Sequence, residues 1–503
     1  MATRDQYRLY MQNAKYSKHT IDQYTGYYMN GLYNQAKLHS GLLMNNYNSI
    51  YDITDLNILK SIYAQINTLP EYKEANDKYS GGINATYNLY IKFFESNLDS
   101  SSAHGSNTIL ENNMMSNSNV VTSDQEHTSE QMPFSVSTVI DTIRQTGLLY
   151  SPSLIKRFAF SLMSKRFLIL SGLAGSGKTQ LALAFASALV ENKDKQMCVV
   201  SVGADWTNRE SLLGFPNALQ PEKYVKPESG VLDLLIEANR KENADKPFFL
   251  ILDEMNMSYV ERYFADFLSA MESKEKICLW NSDKDSDKVI DGVPQRIDLP
   301  KNLFIIGTIN VDETTYMFSP KVLDRANVIE FKISSKEMGE FLQEMREIDR
   351  DSIISKAAGM GADFVAKACM KDLAHDDEAV KMLQQFFDEL KNVNAEFGYR
   401  SATEIFRFIC QAKANDDTDK KMKDEEILDA AIVQKLLPKL HGSRKKLEPV
   451  LAQLWKLCFI GAGKDLNIAK ENVEKAQYKE SADKIRRMYE SATANGFTSF
   501  AEA

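Results

Sequence analysis

The sequence predicts an α/β domain, with a parallel sheet flanked by helices, that continues into a helical region and follows a small, mostly helical module. Two observations predict this order. From residue 133 to residue 334, short hydrophobic strand patterns alternate with amphipathic helical patterns, which is typical of a parallel α/β sheet. From residue 335 to residue 503, the strand patterns stop and helical periodicity continues.

Residues 1–96 differ in composition from the rest and hold 14 of the 22 tyrosines, with apolar residues at helical spacing. We expect a helical module that recognises a target or serves as an adaptor. Residues 97–132 are rich in Ser and Asn, with few large apolar side chains and no Lys or Arg. Such a segment cannot bury enough surface to offset its ordering entropy, so we interpret it as a flexible linker.

Composition and charge exclude several classes of protein. Hydrophobic residues make up 44% and charged residues 26%, as in an ordinary folded chain. No apolar run approaches the length that spans a bilayer, so we expect a cytoplasmic protein without a membrane contact. Five separated cysteines without a CxxC pair fit neither a disulfide framework nor a zinc site. The net charge of −9 means that any nucleic-acid contact must come from a local patch or an assembled ring.

A phosphate-binding loop is the strongest motif in the chain. A short buried-strand pattern ends at Ser171 and runs into GLAGSGKT, which a helical pattern follows. This is GxxxxGK[ST] between a strand and a helix, the context in which the motif binds phosphate. The predicted nucleotide-binding residues are Gly172, Gly175, Ser176, Gly177, Lys178 and Thr179. Backbone N–H groups would surround the phosphates, Lys178 would reach the β and γ phosphates, and Thr179 would ligate Mg²⁺.

Two carboxylates end the second buried strand pattern, KPFFLILDE. Asp253 at the strand tip would belong to the Mg²⁺ shell, and Glu254 would polarise the attacking water as general base. Acidic residues also follow strands as helix caps. The phosphate loop upstream favours the catalytic interpretation.

Asn310 and Arg325 complete the candidate site. Asn310 follows the strand pattern NLFIIGT and could orient the water if its strand lies beside the phosphate loop; the alternative is an ordinary Asn at a strand end. Arg325 precedes a further strand pattern at the edge of the domain. An arginine supplied across a subunit boundary would stabilise transition-state charge. Its alternative is a surface salt bridge.

The order of GLAGSGKT, FFLILDEMN, GTIN and LDRANVIEF resembles an AAA+ NTPase of the McrB type, the motor subunit of modification-dependent restriction systems. The resemblance covers about residues 150–460. Segments from Asp205 to Leu232 and from Ile277 to Leu299 look like the helix-interrupting insertion and the hairpin of this branch. The resemblance also implies a helical lid, in which Arg400 takes the place of a second phosphate-sensing arginine.

The resemblance further implies a homo-oligomeric ring, a hexamer, with GTP between subunits. It also implies a separately encoded McrC-like nuclease partner in anti-phage defence, and DNA as the translocated substrate. One departure concerns the Asn-x-x-Asp motif of McrB, because here Asn310 is followed by Val311, Asp312 and Glu313. Either GTP or ATP therefore remains a candidate substrate.

No nuclease site is predicted on this chain. The nearest string is Glu272-Ser273-Lys274, but it continues the helical pattern ERYFADFLSAMES, and six scattered histidines have no metal-hydrolase spacing. In the amino-terminal module, basic residues alternate with tyrosines, which suits DNA contact through residues 1–96. The alternative is that the tyrosines pack a small core. The basic residues are Arg4, Arg8, Lys15, Lys18 and His19.

Two other functions use the same nucleotide site. A MoxR-like ATPase would remodel protein substrates, and a nucleotide-gated defence scaffold would recruit an effector with slow hydrolysis. DNA binding by residues 1–96 and a neighbouring nuclease gene would favour the McrB-type motor over both.

Overall fold

The computed structural model describes Tyr7, Met11, Tyr90 and residues 132–503, apart from 282–288, 312–315, 317, 334, 344–347, 372, 374, 460–466, 469–470 and 502. The chain divides into two compact units, Met1–Asp124 and Gln125–Ala503. The predicted basic cluster between Arg4 and His19 and nearly all of the predicted linker, 97–132, lie outside the described residues.

The three described residues of the first unit are all buried. Tyr7 and Tyr90 meet edge to face with ring centroids 4.8 Å apart, and Met11 is fully buried as well. At these two positions the tyrosines pack a core, as the alternative interpretation of the module expects.

The predicted parallel sheet is present, and it has five strands. They are β1 (Phe167–Gly172), β2 (Met197–Ser201), β3 (Phe248–Asp253), β4 (Leu303–Asn310) and β5 (Asn327–Phe331). All pairings are parallel, in the order β5-β1-β4-β3-β2. The three inner strands are almost wholly buried because helices cover both faces, which is why they read as continuous hydrophobic runs.

Helices surround the sheet. Those before residue 334 are α1 (Val136–Arg144), α2 (Pro152–Ser164), α3 (Lys178–Leu189), α4 (Lys193–Gln196), α5 (Glu210–Leu213), α6 (Val231–Ala238), α7 (Val260–Tyr263), α8 (Ala265–Ser273) and α9 (Pro320–Leu323). The predicted single helix over 261–273 is broken at Phe264, so that α7 and α8 are separate.

Three short antiparallel ribbons interrupt this pattern. They pair Phe215–Pro216 with Tyr224–Val225, Ile277–Cys278 with Arg296–Ile297, and Val289–Ile290 with Val293–Pro294. The first lies within residues 205–232, and the other two lie within residues 277–299, before β4.

The carboxyl-terminal region is mainly helical, as predicted. Its helices are α10 (Ser335–Gln343), α11 (Gly361–Cys369), α12 (Asp377–Lys391), α13 (Tyr399–Asn415), α14 (Asp424–Ala431), α15 (Arg444–Leu457) and α16 (Lys479–Asn495). A π-helical turn, Ile432–Leu436, continues α14. The expectation that strands stop here is wrong at one place, since β6 (His441–Ser443) pairs with β7 (Phe497–Ser499). Strands of three residues are too short to show a period of two in the sequence.

Aromatic packing fixes this region against the sheet. The Phe304 ring of β4 lies 4.8 Å from Phe364 of α11, and Phe364 lies 5.6 Å from Phe185 of α3. Phe185 also meets Phe249 of β3 edge to face. The helices from α11 onward therefore share one core with the sheet. Among the described helices, none combines the length and apolar character that crossing a bilayer requires.

Candidate functional site

The carboxyl ends of three neighbouring strands bring the predicted site residues together. Gly172 at the end of β1 pairs in register with Asn310 at the end of β4. Gly307 of β4 pairs with Leu252 of β3, one residue before Asp253. Asn310 was expected just beyond its strand, but β4 extends through it. The strand that carries Asn310 therefore lies beside the strand that leads into the phosphate loop, as a role of Asn310 in orienting the water requires.

Glycines shape the loop between β1 and α3. Gly177 has φ +91°, a left-handed backbone that other residues rarely adopt, and its carbonyl oxygen accepts a 2.7 Å hydrogen bond from the Tyr150 hydroxyl. A Cβ atom at Gly177 would lie 2.8 Å from that hydroxyl oxygen. At Gly172 a Cβ would lie 2.6 Å from the Phe331 carbonyl oxygen. Both positions therefore require glycine, and Tyr150 fixes the loop from outside.

Lys178 is buried beneath this loop. Its Nζ donates to the carbonyl oxygens of Gly172 at 2.9 Å and Leu173 at 2.6 Å, and to Ser176 Oγ at 3.3 Å. Gly175 lies at the exposed part of the loop. The ammonium group is thus held where a phosphate oxygen in the loop could become one of its acceptors.

Two hydroxyls and a carboxylate meet below the loop. Thr179 Oγ1 donates to Asp253 Oδ1 at 2.6 Å, and Thr308 Oγ1 donates to the same oxygen at 2.7 Å. Thr308 lies in β4 and is almost fully buried. Hydroxyl and carboxylate oxygens are the ligands that Mg²⁺ prefers, so Thr179 and Asp253 form a donor set that fits this ion.

Glu254 is held beside Asn310 by a short chain of hydrogen bonds. Its backbone has φ +53°, a conformation that costs a non-glycine residue about 1–2 kcal/mol. Its amide donates to Thr308 Oγ1 at 3.0 Å, and its Oε1 accepts from Asn310 Nδ2 at 3.3 Å. Asn256 Nδ2 in turn donates to the Asn310 carbonyl oxygen at 3.1 Å. This arrangement can place a carboxylate and an amide on the same water molecule.

The two predicted arginines lie together. Arg325, between α9 and β5, pairs with Glu272 in the last turn of α8 and donates Nη1 to the Lys321 carbonyl oxygen at 2.6 Å. Arg400, in the first turn of α13, has its Nη1 3.0 Å from Glu272 Oε1 and also pairs with Asp324. In the described part of the chain, the ion-pair partners of both arginines lie on these segments and not on the phosphate loop.

Asp324 anchors the helices after residue 334 to this corner of the sheet domain. It pairs with Arg400 and, at 2.7 Å, with Lys439, and it accepts from the Ser401 hydroxyl at 3.1 Å. Burial raises the pKa of the Asp324 carboxyl, but Lys439, Arg400 and Lys435 outweigh it and lower this pKa to about 2. The carboxylate is therefore charged at neutral pH and fixes α13 next to Arg325.

Several residues of this site were not predicted from the sequence. Thr308, Asn256, Tyr150 and Asp324 each make a contact that places a predicted residue. Glu272 was considered only as part of a nuclease string, and it lies at the end of α8 as an ion-pair partner. Among the described residues, no three His, Cys, Asp or Glu side chains are grouped so that they could hold a metal ion.

Comparison with known proteins gives two findings. Residues 332–497 match a family model described as Domain of unknown function (DUF8727). The crystal structure of a presumptive ATPase from Cytophaga hutchinsonii is similar at 14% identity and a TM-score of 0.42, covering 60% of this chain and 86% of that chain. This likeness is too distant to indicate what the present chain binds. None of the curated proteins matches the chain.

Proposed function

We propose that this protein is a ring-forming AAA+ NTPase. One observation carries the proposal: Thr179 and Asp253 share a 2.6 Å hydrogen bond directly below a glycine loop that buries Lys178. A lysine, a hydroxyl and a carboxylate at the carboxyl edge of a parallel sheet are the parts that nucleoside triphosphate hydrolysis requires.

Each residue then has a defined task. The loop and Lys178 bind the phosphates, while Thr179 and Asp253 hold Mg²⁺, which neutralises charge on the phosphate oxygens when bound. Glu254 accepts the proton of the attacking water, and Asn310 orients that water. The hydrogen bond from Asn310 to Glu254 keeps the two groups within reach of the same water.

The placement of the arginines supports a ring. Arg325 lines an open cavity of about 500 Å³ at the surface of α8 and α9, and Arg400 shares its carboxylate partner Glu272. A neighbouring subunit that offered its nucleotide to this surface would give each guanidinium group a phosphate to bind. We therefore assign Arg325 a role in trans, with Arg400 beside it.

For the biological role we propose an McrB-type motor, on the resemblance of the four motifs. In this role the ring is a hexamer, GTP is the preferred substrate, and hydrolysis powers DNA translocation. The ring activates a McrC-like nuclease, and residues 1–96 contact the DNA.

Steady-state hydrolysis of GTP and ATP by the purified protein tests this function, with double-stranded DNA present or absent and Glu254→Gln as the blank. Preferred GTP hydrolysis that responds to DNA is the expected result. Preferred ATP hydrolysis without a DNA response would favour a remodelling ATPase or a scaffold. Hydrolysis no faster than the Glu254→Gln blank would contradict the NTPase proposal itself.

A further inference from the structure

One carboxylate, Glu272, is shared by the two arginines of the candidate site. Its Oε2 pairs with Arg325 Nη2, and its Oε1 lies 3.0 Å from Arg400 Nη1. The three residues come from different segments: the end of α8, the turn before β5 and the start of α13. A single side chain therefore bridges two guanidinium groups that are 75 residues apart in the sequence.

The two guanidinium groups would repel each other without this carboxylate. Both guanidinium groups pair with Glu272, and the pKa of Arg325 is lowered first by burial and then by the positive charge of Arg400. Arg400 has a second carboxylate partner, Asp324. For Arg325, the partners within the described part of the chain are Glu272 and the Lys321 carbonyl oxygen, so its position depends mainly on Glu272.

Glu272 and its partner Arg325 lie at the wall of the open cavity. Glu272, Arg325, Lys321 and Glu261 all line it, and its volume of about 500 Å³ is large enough for a phosphate group to enter. The Glu272 side chain is 48% exposed and that of Arg325 is 18% exposed. A fixed pair of guanidinium groups can bind phosphate oxygens without first paying the entropy of ordering two long side chains.

We propose that Glu272 is a positioning residue that holds Arg325 and Arg400 as a preorganised pair for a phosphate group presented by an adjoining copy of this chain. The proposal rests on the proposed function, since that function supplies the nucleotide. Glu272 does not touch the nucleotide of its own loop; it acts through Arg325 and Arg400.

Steady-state hydrolysis by the full chain with Glu272→Ala and Glu272→Gln tests this role. We expect kcat to fall by at least about tenfold, because misplacing a catalytic group by 1 Å costs that much or more. The KM for nucleotide should stay within about twofold, since binding to the phosphate loop is untouched. Glu275→Ala is the matched control: this glutamate is exposed, lies three residues further on and has no arginine partner in the described part of the chain.

A double-mutant cycle separates positioning from a general structural effect. If Glu272 acts through the two arginines, then Glu272→Ala should lower kcat in the wild type but not in an Arg325→Ala/Arg400→Ala background. Three results would overturn the inference. They are reductions in kcat that multiply independently in the combined variant, a change in KM alone, and a Glu272→Ala enzyme as fast as the wild type. A different result would contradict the proposed function itself: equal rates of hydrolysis by the wild type and by Lys178→Ala.

Discussion

Asn310 Nδ2 donates to Glu254 Oε1 across 3.3 Å, a contact between the ends of two adjacent parallel strands. The contact exists because β3 and β4 are neighbours, although they are 49 residues apart in the chain. It orients a carboxylate whose own backbone is in a left-handed conformation. Strain of this kind is retained in proteins mainly where a precise placement is required.

Replacing Glu254 tests its role as general base. Glu254→Gln should keep nucleotide binding, since the amide still accepts a hydrogen bond, and should lower kcat by roughly 10²–10⁴-fold because no base remains. Single-turnover hydrolysis and nucleotide titration measure the two effects separately. Glu210→Gln, an exposed glutamate on α5, serves as control. Undiminished turnover in Glu254→Gln would remove the assignment.

Replacing Lys178 tests the phosphate loop. Its ammonium group donates hydrogen bonds to the loop carbonyl oxygens of Gly172 and Leu173. Lys178→Ala should weaken binding of a fluorescent nucleotide by about a hundredfold or more, because charge-assisted hydrogen bonds to phosphate are lost. Lys193→Ala, at an exposed ion pair with Asp351, should bind normally. Equal affinity of both variants would show that the loop does not bind the phosphates.

Thr308 offers a test that motif comparison alone does not suggest. Thr308→Val keeps the shape of the side chain but removes the donor to Asp253 and the acceptor of the Glu254 amide. We expect half-maximal hydrolysis to need roughly tenfold more Mg²⁺, as when a group supporting a metal ligand is removed. Thr493→Val, which loses a hydroxyl bond within α16, is the control. An unchanged Mg²⁺ dependence would limit Thr308 to a packing role.

The central strands could be predicted because burial on both faces leaves a continuous hydrophobic run in the sequence. The strand β2 was not recognised individually, since it lies at the sheet edge and its five residues mix buried, half-buried and exposed positions without a regular period. The carboxylates Asp253 and Glu254 were found because they end such a run. The observed element boundaries differ from the predicted ones by one or two residues, as at the end of β4, which includes Asn310.

The contacts that organise the site could not be predicted in the same way. Thr308 reads as an ordinary β-branched residue of a strand, and only the register beside β3 shows that its hydroxyl meets Asp253. Glu272 reads as a solvated helix end, and its two arginines come from segments far along the chain. Ion pairs between distant elements leave no periodic pattern in the sequence.

Arg325 can be tested for action across a subunit boundary. Arg325→Ala should lower kcat on the order of a thousandfold, the effect expected of an arginine that stabilises transferred phosphate charge. Mixing it with Glu254→Gln subunits should restore part of the activity, because some interfaces then combine an intact Glu254 with an intact Arg325. Arg144→Ala, an exposed arginine of α1, is the control. Absence of rescue would make Arg325 an intrasubunit residue.

Glu330 of β5 gives a prediction about stability and pH. This carboxylate pairs with Lys484 and Arg487 of α16, at 2.8 Å and 2.7 Å, and with Lys332 at 3.4 Å. Burial raises the pKa of Glu330, but these cations outweigh it and lower the pKa from 4.5 to about 2. A carboxyl whose pKa is lower in the folded state stabilises the fold above pH 4.5, and this stabilisation is lost as the pH falls toward 2.

Glu330→Gln should therefore lower the free energy of unfolding by about 3 kcal/mol at pH 7, with the difference from wild type shrinking between pH 4.5 and pH 2. Urea unfolding at pH 7, 5, 4 and 3 measures this difference. Glu474→Gln removes an exposed pair with Lys479 and should change stability by less than about 1 kcal/mol at every pH. A difference between Glu330→Gln and wild type that stays constant with pH would show that the buried ion pair with Lys484 is not its source, because lost packing does not titrate.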